Sequence, residues 1–268
     1  MVDFIYGIPN VLLFFLISIV TVLFSIVSLF AVKSFIPLKL RYAENEAVGH
    51  ISATIAVIYA VLFGFIAINL LDNFNTAEKS TQKESSVLED IYTDSKLLPK
   101  SIHNSIRMDV EAYIIEVMEK EWPALEKGQD VSSWGDAVLN RMVHTVHNYT
   151  TNNSMDLFTQ QEILKEIKLL FDAREERIFM GKSALSTDFW IVILIGAFLT
   201  IAVHFLFGMQ FHLHLFSVVG VAFAISSVVF LIVAMDRPFR GEYCVKPEGF
   251  EFLRELIKND VQKETSPP

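Results

Sequence analysis

The chain has 268 residues, 52% of them apolar and 23 of them phenylalanine, with a formal net charge of −9. It is too apolar for an ordinary soluble domain and too acidic for a nucleic-acid binder, which needs a basic stripe. The one cysteine, Cys244, excludes an intrachain disulfide framework and a thiolate metal cluster.

Four apolar runs nearly free of charge stand out. The first, Ile8 to Ile36, has Asn10 as its only strongly polar side chain before Lys33. At about 1.5 Å per residue it exceeds a hydrocarbon core of about 30 Å, so it reads as a tilted span. A cleaved signal peptide would carry a basic start and a shorter apolar core. The second run, Val48 to Leu71, contains small and polar insertions, and no glycine or proline follows Gly64 until Pro99. It therefore reads as one helix that leaves the membrane and continues towards Leu98. The third run, Phe189 to Phe207, opens on Phe189 and Trp190, which suit a membrane–water interface. The fourth, Leu213 to Met235, stops at Asp236-Arg237-Pro238. In lipid, helix is the spanning form for segments of this length.

Between the second and third runs the chain turns polar and helical. Ile106, Val110, Tyr113, Ile114, Val117, Met118 and Trp122 fall at helical spacing, and Pro123 is expected to end that helix or begin a turn. Trp134, Val138, Met142, Val146 and Tyr149 make a second stripe; Ile163, Leu164, Ile167, Leu170, Phe171 and Ile178 make a third. The expected fold is an all-α integral membrane protein: four transmembrane helices, arranged two and two, around an inserted cytoplasmic helical bundle. Its parts are residues 1–71 (spans one and two), 72–188 (the soluble acidic domain), 189–236 (spans three and four) and 237–268, a C-terminal segment disordered after Asn259. Residues 72–188 hold 13 Lys and Arg against 21 Asp and Glu, so acidic pairs there are expected to form a solvated face.

Basic residues near the span ends set the orientation. Lys79, Lys83, Arg174, Arg177, Lys182, Arg237, Arg240 and Lys246 share the side of the termini and the soluble domain, against Lys33, Lys39 and Arg41 on the other. Eight against three places termini and domain in the cytoplasm. The sequons at Asn148 and Asn152 then have no meaning as glycosylation sites.

Chemistry is sparse. No G-x-S-x-G, Walker loop or H-E-x-x-H occurs, so neither an enzyme nor a cofactor is expected. His144 and His147, spaced i, i+3, are candidates to share a metal with His103, but their spacing matches no zinc signature. His204, His212 and His214 are candidate pH sensors at the turn between spans three and four. In span two, Asn45, Gly49, Ser52, Ala56, Tyr59, Phe63 and Ala67 share one helical face. That face serves either close helix packing or a narrow wet path, with Asn45, Ser52 and Tyr59 lining it and Phe63 as a constriction. Asp72, at the exit of the span, either simply ends the apolar stretch or forms a carboxylate ring at a pore mouth.

Several segments together resemble the bestrophin-like family of bacterial membrane proteins, a domain family of unknown function. They are Asn45-x-x-x-Gly49 and Tyr59; Phe74, Asn75 and Ala77 with Glu84, Leu88 and Tyr92; Tyr113; Glu121-Trp122-Pro123; Arg174-x-x-Arg177; and Asp236-Arg237-Pro238-Phe239-x-Gly241. Many members have tryptophan where this chain has Asn69 or Leu70. The resemblance implies the two-and-two membrane layout, and its name points to bestrophins, which are oligomeric anion channels. The phenylalanine-ring neck and acidic calcium clasp of bestrophins have no counterpart here. Together these readings predict a homo-oligomeric ion channel lined by span two and favouring cations through its acidic vestibule, with the bilayer, other copies of the chain and small ions as its partners. The alternative is a membrane-anchored scaffold whose bundle recruits a partner. Asp236 is expected to pair with Arg174 or Arg177.

Overall fold

The computed structural model describes residues 6–35, 38–131 and 135–265, with backbone alone at 38–40, 264 and 265. Ile36, Trp134 and the Lys39 side chain, used in the reading above, lie outside the described residues. The described residues form helices joined by irregular segments: α1 (Asn10–Phe35), α2 (Leu38–Ala43), α3 (Asn45–Ser95), α4 (Lys100–Glu116), a π turn (Val117–Glu121), α5 (Trp122–Glu126), α6 (Asp136–His147), α7 (Ser154–Lys182), α8 (Thr187–His204), α9 (Phe211–Met235) and α10 (Glu248–Thr265). Four of them, α1, α3, α8 and α9, are long and apolar enough to cross a membrane. The protein is a multi-pass membrane protein.

The chain forms two compact units. One comprises Met1–Asp72, Ala184–Asp236 and Gly241–Tyr243; the other Asn73–Ser183, Arg237–Arg240 and Cys244–Pro268. In the first, the apolar unit, α1 packs along α9. Phe14 sets its ring edge-on to Phe223 and Phe230, and the buried Ser226 hydroxyl donates to Ser18 at 3.0 Å. Lipid is as apolar as these side chains, so helix pairing here relies on packing and on such hydrogen bonds. A second seam joins Tyr59, Phe63, Ile66 and Leu70 of α3 to Ile193 and Ala197 of α8 and Val218 and Ala222 of α9.

In the second, the charged unit, Leu88, Ile91 and Tyr92 of α3 pack with Ile106, Val110 and Tyr113 of α4, Leu139 and Met142 of α6, and Ile163, Ile167 and Leu170 of α7. Two expectations need correction. Pro123 neither ends its helix nor starts a turn. It stands in the first turn of α5, where its missing N–H costs little, and the π turn before it takes up the change of register. Residues 260–265 of the tail, expected to be disordered, continue α10 as far as Thr265. Phe250, Leu253 and Ile257 are buried and Val261 packs against the same core, so the apolar face of α10 is a docked face.

Helices α3 and α7 run antiparallel. Asn73 meets Ser183 at one level, Glu84 meets Arg177 about three turns further on, and Glu166 lies among Asp94, Asp90 and Glu162 at the far end. Burial, and then those three carboxylates, push the Glu166 carboxyl up to about 7 from its ordinary 4.5. The folded protein therefore holds this proton more tightly than the unfolded chain. The stability it contributes is complete below pH 4.5 and is lost as pH rises through 7. The melting temperature of the purified wild type, relative to Glu166→Gln, is expected to fall between pH 5 and pH 8. A constant difference between the two proteins would contradict this account.

Candidate functional site

Within the apolar unit, α3 presents two opposite faces. Val48, Tyr59, Phe63, Ile66 and Leu70 are buried. Tyr59 donates its hydroxyl to the Ile193 carbonyl at 2.7 Å and meets Phe63 edge-on. Its ring occupies the space that a side chain at position 196 would need: a Cβ on Gly196 would sit 2.1 Å from the ring. Asn45 grips the backbone of Gly208 with both ends of its amide, accepting from the Gly208 N–H at 2.7 Å and donating to its carbonyl at 2.9 Å. So Asn45, Tyr59 and Phe63, for which the sequence left close helix packing and a wet path both open, are engaged inside the protomer. The physical reason is that small residues on α8 let an aromatic on α3 approach its backbone. Ser52 is half-buried on the wall of a groove of about 640 Å³ that Tyr59 and Phe63 also line, together with Ala53, Ala56, Thr200 and Val221.

The other face of α3 is exposed. Ile51, Thr54, Ile58, Val61, Phe65 and Ile68 follow one another at alternating steps of three and four, and the next position in that series is the exposed Asp72. A strict step of three and four keeps a stripe on one side of a helix that packs around an axis.

Within the charged unit, four charges are buried together: Glu84 of α3, Glu121 of the π turn, and Arg174 and Arg177 of α7. Arg177 places Nε 2.5 Å from one Glu84 oxygen and a terminal nitrogen 3.1 Å from the other, and it reaches Glu121 at 2.6 Å. Arg174 meets Glu121 at 2.9 Å and the half-exposed Asp136 at 3.5 Å. Tyr113 donates to Glu84 at 2.6 Å. Burial opposes the charge on Arg177, but the Glu84 and Glu121 carboxylates outweigh it and raise its pKa. Burial, and then Glu84, push the Tyr113 phenol well above its usual value, so it stays a donor. The carboxylates at 84 and 121 are thus core groups and not part of a solvated face.

Asp236, expected to pair with Arg174 or Arg177, has partners within its own unit. Asp236 accepts from the Leu185 N–H at 2.6 Å and from the Tyr6 hydroxyl at 3.2 Å. Further along the same motif, Phe239 sets its ring edge-on to Trp122, and the Pro238 carbonyl accepts from the Val245 N–H at 2.8 Å. Arg237 begins the turn and its carbonyl accepts from the Arg240 N–H. Among the described residues no three His, Cys, Asp or Glu side chains could hold a metal ion. His144 and His147 are exposed at the end of α6, while His103 is buried against Ser95 at 2.8 Å. His214 is buried with Nε2 2.8 Å from the His204 carbonyl, and His212 is exposed.

Most of the residues that carried the family resemblance are accounted for by this geometry. Glu84, Tyr113, Glu121, Arg174 and Arg177 are one charged core, Trp122 and Phe239 are one ring contact, and Tyr59 and Asn45 fix α3 against α8 and the α8–α9 turn. No curated protein matches the chain. Two crystal structures share its fold at 11% identity: a membrane protein variant, with a TM-score of 0.67 over 95% of this chain and 99% of that one, and a point-mutated bacterial bestrophin homolog from Klebsiella pneumoniae, with a TM-score of 0.68 over 94% and 99%. The family model of the Bestrophin-like domain matches residues 19–250, and the chain belongs to that family.

Proposed function

We propose that the protein is a homo-oligomeric ion channel in which α3 lines the conducting path. The observation that carries this reading is the exposed stripe from Ile51 to Ile68 ending at Asp72. Repeated around an axis, it makes an apolar wall with one carboxylate per subunit at its mouth. Such walls gate by excluding water, and such rings concentrate cations. This turns the lining away from the face expected from the sequence: Asp72 stays at its mouth, Ser52 lies off it on the face of Tyr59 and Phe63, and Asn45, Tyr59 and Phe63 hold the helix in place. The balance of −8 in residues 72–188 supports cation preference, the opposite of the anion selectivity of bestrophins. Two spans on either side of a cytoplasmic bundle, in a bacterial inner membrane, is the layout that the eight-to-three count of basic flanks supports. A thiol placed at Asp130 should then resist impermeant labelling in intact cells, and ready labelling would reverse the orientation.

The purified protein, reconstituted in liposomes under a salt gradient, should carry current with a reversal potential on the cation side. Absence of flux for any small ion would end the channel reading. The scaffold reading would then rest on a groove of about 350 Å³ between α4 and α10, where Ile115, Ile257 and Val261 are flanked by Glu111, Arg254 and Lys258, a surface suited to an amphipathic helix.

A further inference from the structure

At the end of the apolar unit where α1 turns into α2 and α8 into α9, cations gather without carboxylates. Arg41 is 5% exposed and its Nε has no hydrogen-bond partner; a terminal nitrogen makes one long contact, 3.5 Å, with the Phe205 carbonyl. His214, 1% exposed, has an Nδ1 without a partner, and Lys33, Arg41 and His204 all lie within electrostatic reach of it. Lys33 stands over the Phe211 ring, its Nζ 4.3 Å from the ring centre. No ion pair to Lys33 or Arg41 forms among the described residues. The sequence explains why: neither residues 10–43 nor residues 189–235 contain an Asp or Glu, and the nearby Glu44 and Glu46 point into the open.

A guanidinium withdrawn from water without a counter-ion is strongly unfavourable, because the lost hydration is not replaced. The site is nevertheless rigidly built. Asn45 holds Gly208, and Gly208 lies so close to the backbone at Arg41 and Tyr42 that a Cβ there would come within 2.5 Å of the Tyr42 nitrogen. A fixed backbone, a guanidinium held by one long contact and an ammonium beside it make a receptor for an oxyanion, since the planar guanidinium matches two oxygens at once. We infer that Lys33, Arg41 and the α8–α9 turn bind a phosphate-type oxyanion, supplied either by a lipid headgroup at the span ends or by free phosphate. The site is independent of the conducting path.

The test uses full-length protein purified in detergent. Its melting temperature and native mass spectrum are followed on adding phosphatidic acid, diacylglycerol with the same acyl chains, or inorganic phosphate. Phosphatidic acid should bind and raise the melting temperature while diacylglycerol does not. Lys33→Gln and Arg41→Gln should each weaken that binding by about tenfold, the loss of one charge-assisted contact. Stabilisation by phosphatidic acid alone identifies a lipid site, and equal stabilisation by inorganic phosphate identifies a free-anion site. If Arg41→Gln fails to fold, Lys33→Gln decides. No difference between phosphatidic acid and diacylglycerol, with no effect of inorganic phosphate, would overturn the inference. So would unchanged phosphatidic acid binding in Lys33→Gln.

Discussion

Arg177→Ala should destabilise the protein by about 3–5 kcal/mol, the range for removing one partner of a buried ion pair. Arg177 is fully buried and reaches both Glu84 and Glu121. Its loss leaves two carboxylates in the core, with Arg174 still beside Glu121 and the Tyr113 hydroxyl still donating to Glu84. Chemical unfolding of the full-length protein in detergent, followed by circular dichroism, measures the effect. The pair also predicts non-additivity. Glu84→Gln in the Arg177→Ala background should cost much less than in the wild type, because the charge it removes is already uncompensated. A loss under about 1 kcal/mol for Arg177→Ala, the size of an exposed pair, would mean that water reaches the cluster.

The second large effect concerns conduction. Phe65→Ala should raise basal conductance in reconstituted protein, since Phe65 is 68% exposed within the protomer and would narrow an apolar path shared by several α3 helices. Phe63→Ala should behave differently. Phe63 is 7% exposed and packs against Tyr59, so its truncation should cost about 3–5 kcal/mol as a core cavity and show first as lost yield. Asp72→Asn should reduce cation preference, more at low salt, because an exposed ring is screened over about 8–10 Å at physiological ionic strength. Reversal potentials in a salt gradient separate these outcomes. If Phe63→Ala opens the channel with its fold intact and Phe65→Ala does nothing, the path runs along the face that meets α8.

The long apolar runs, and the absence of glycine and proline between Gly64 and Pro99, made the spanning helices and the length of α3 legible. Which face of α3 looks inward was not. Both faces are apolar, and the small residues that suggested a wet path suit close packing equally well; the deciding partner, Gly196, lies more than a hundred residues away. The charged core was visible only as scattered letters. Glu84 and Arg177 are 93 positions apart, and in a segment with eight excess negative charges nothing local distinguishes a buried glutamate from a solvated one. The end of α10 was missed for the opposite reason. Its polar composition hid a stripe, Phe250, Leu253, Ile257 and Val261, whose spacing was readable and whose docking the structure supplies.

The charged core also constrains how sequences of this kind can drift. Two glutamates and two arginines balance one another, so an apolar quartet of similar volume would serve the core about as well. Every route between the two versions, taken one substitution at a time, passes through a protein with an odd charge sealed inside it. Lineages are therefore held at one end or the other, and a relative lacking Arg177 should lack an acidic partner as well.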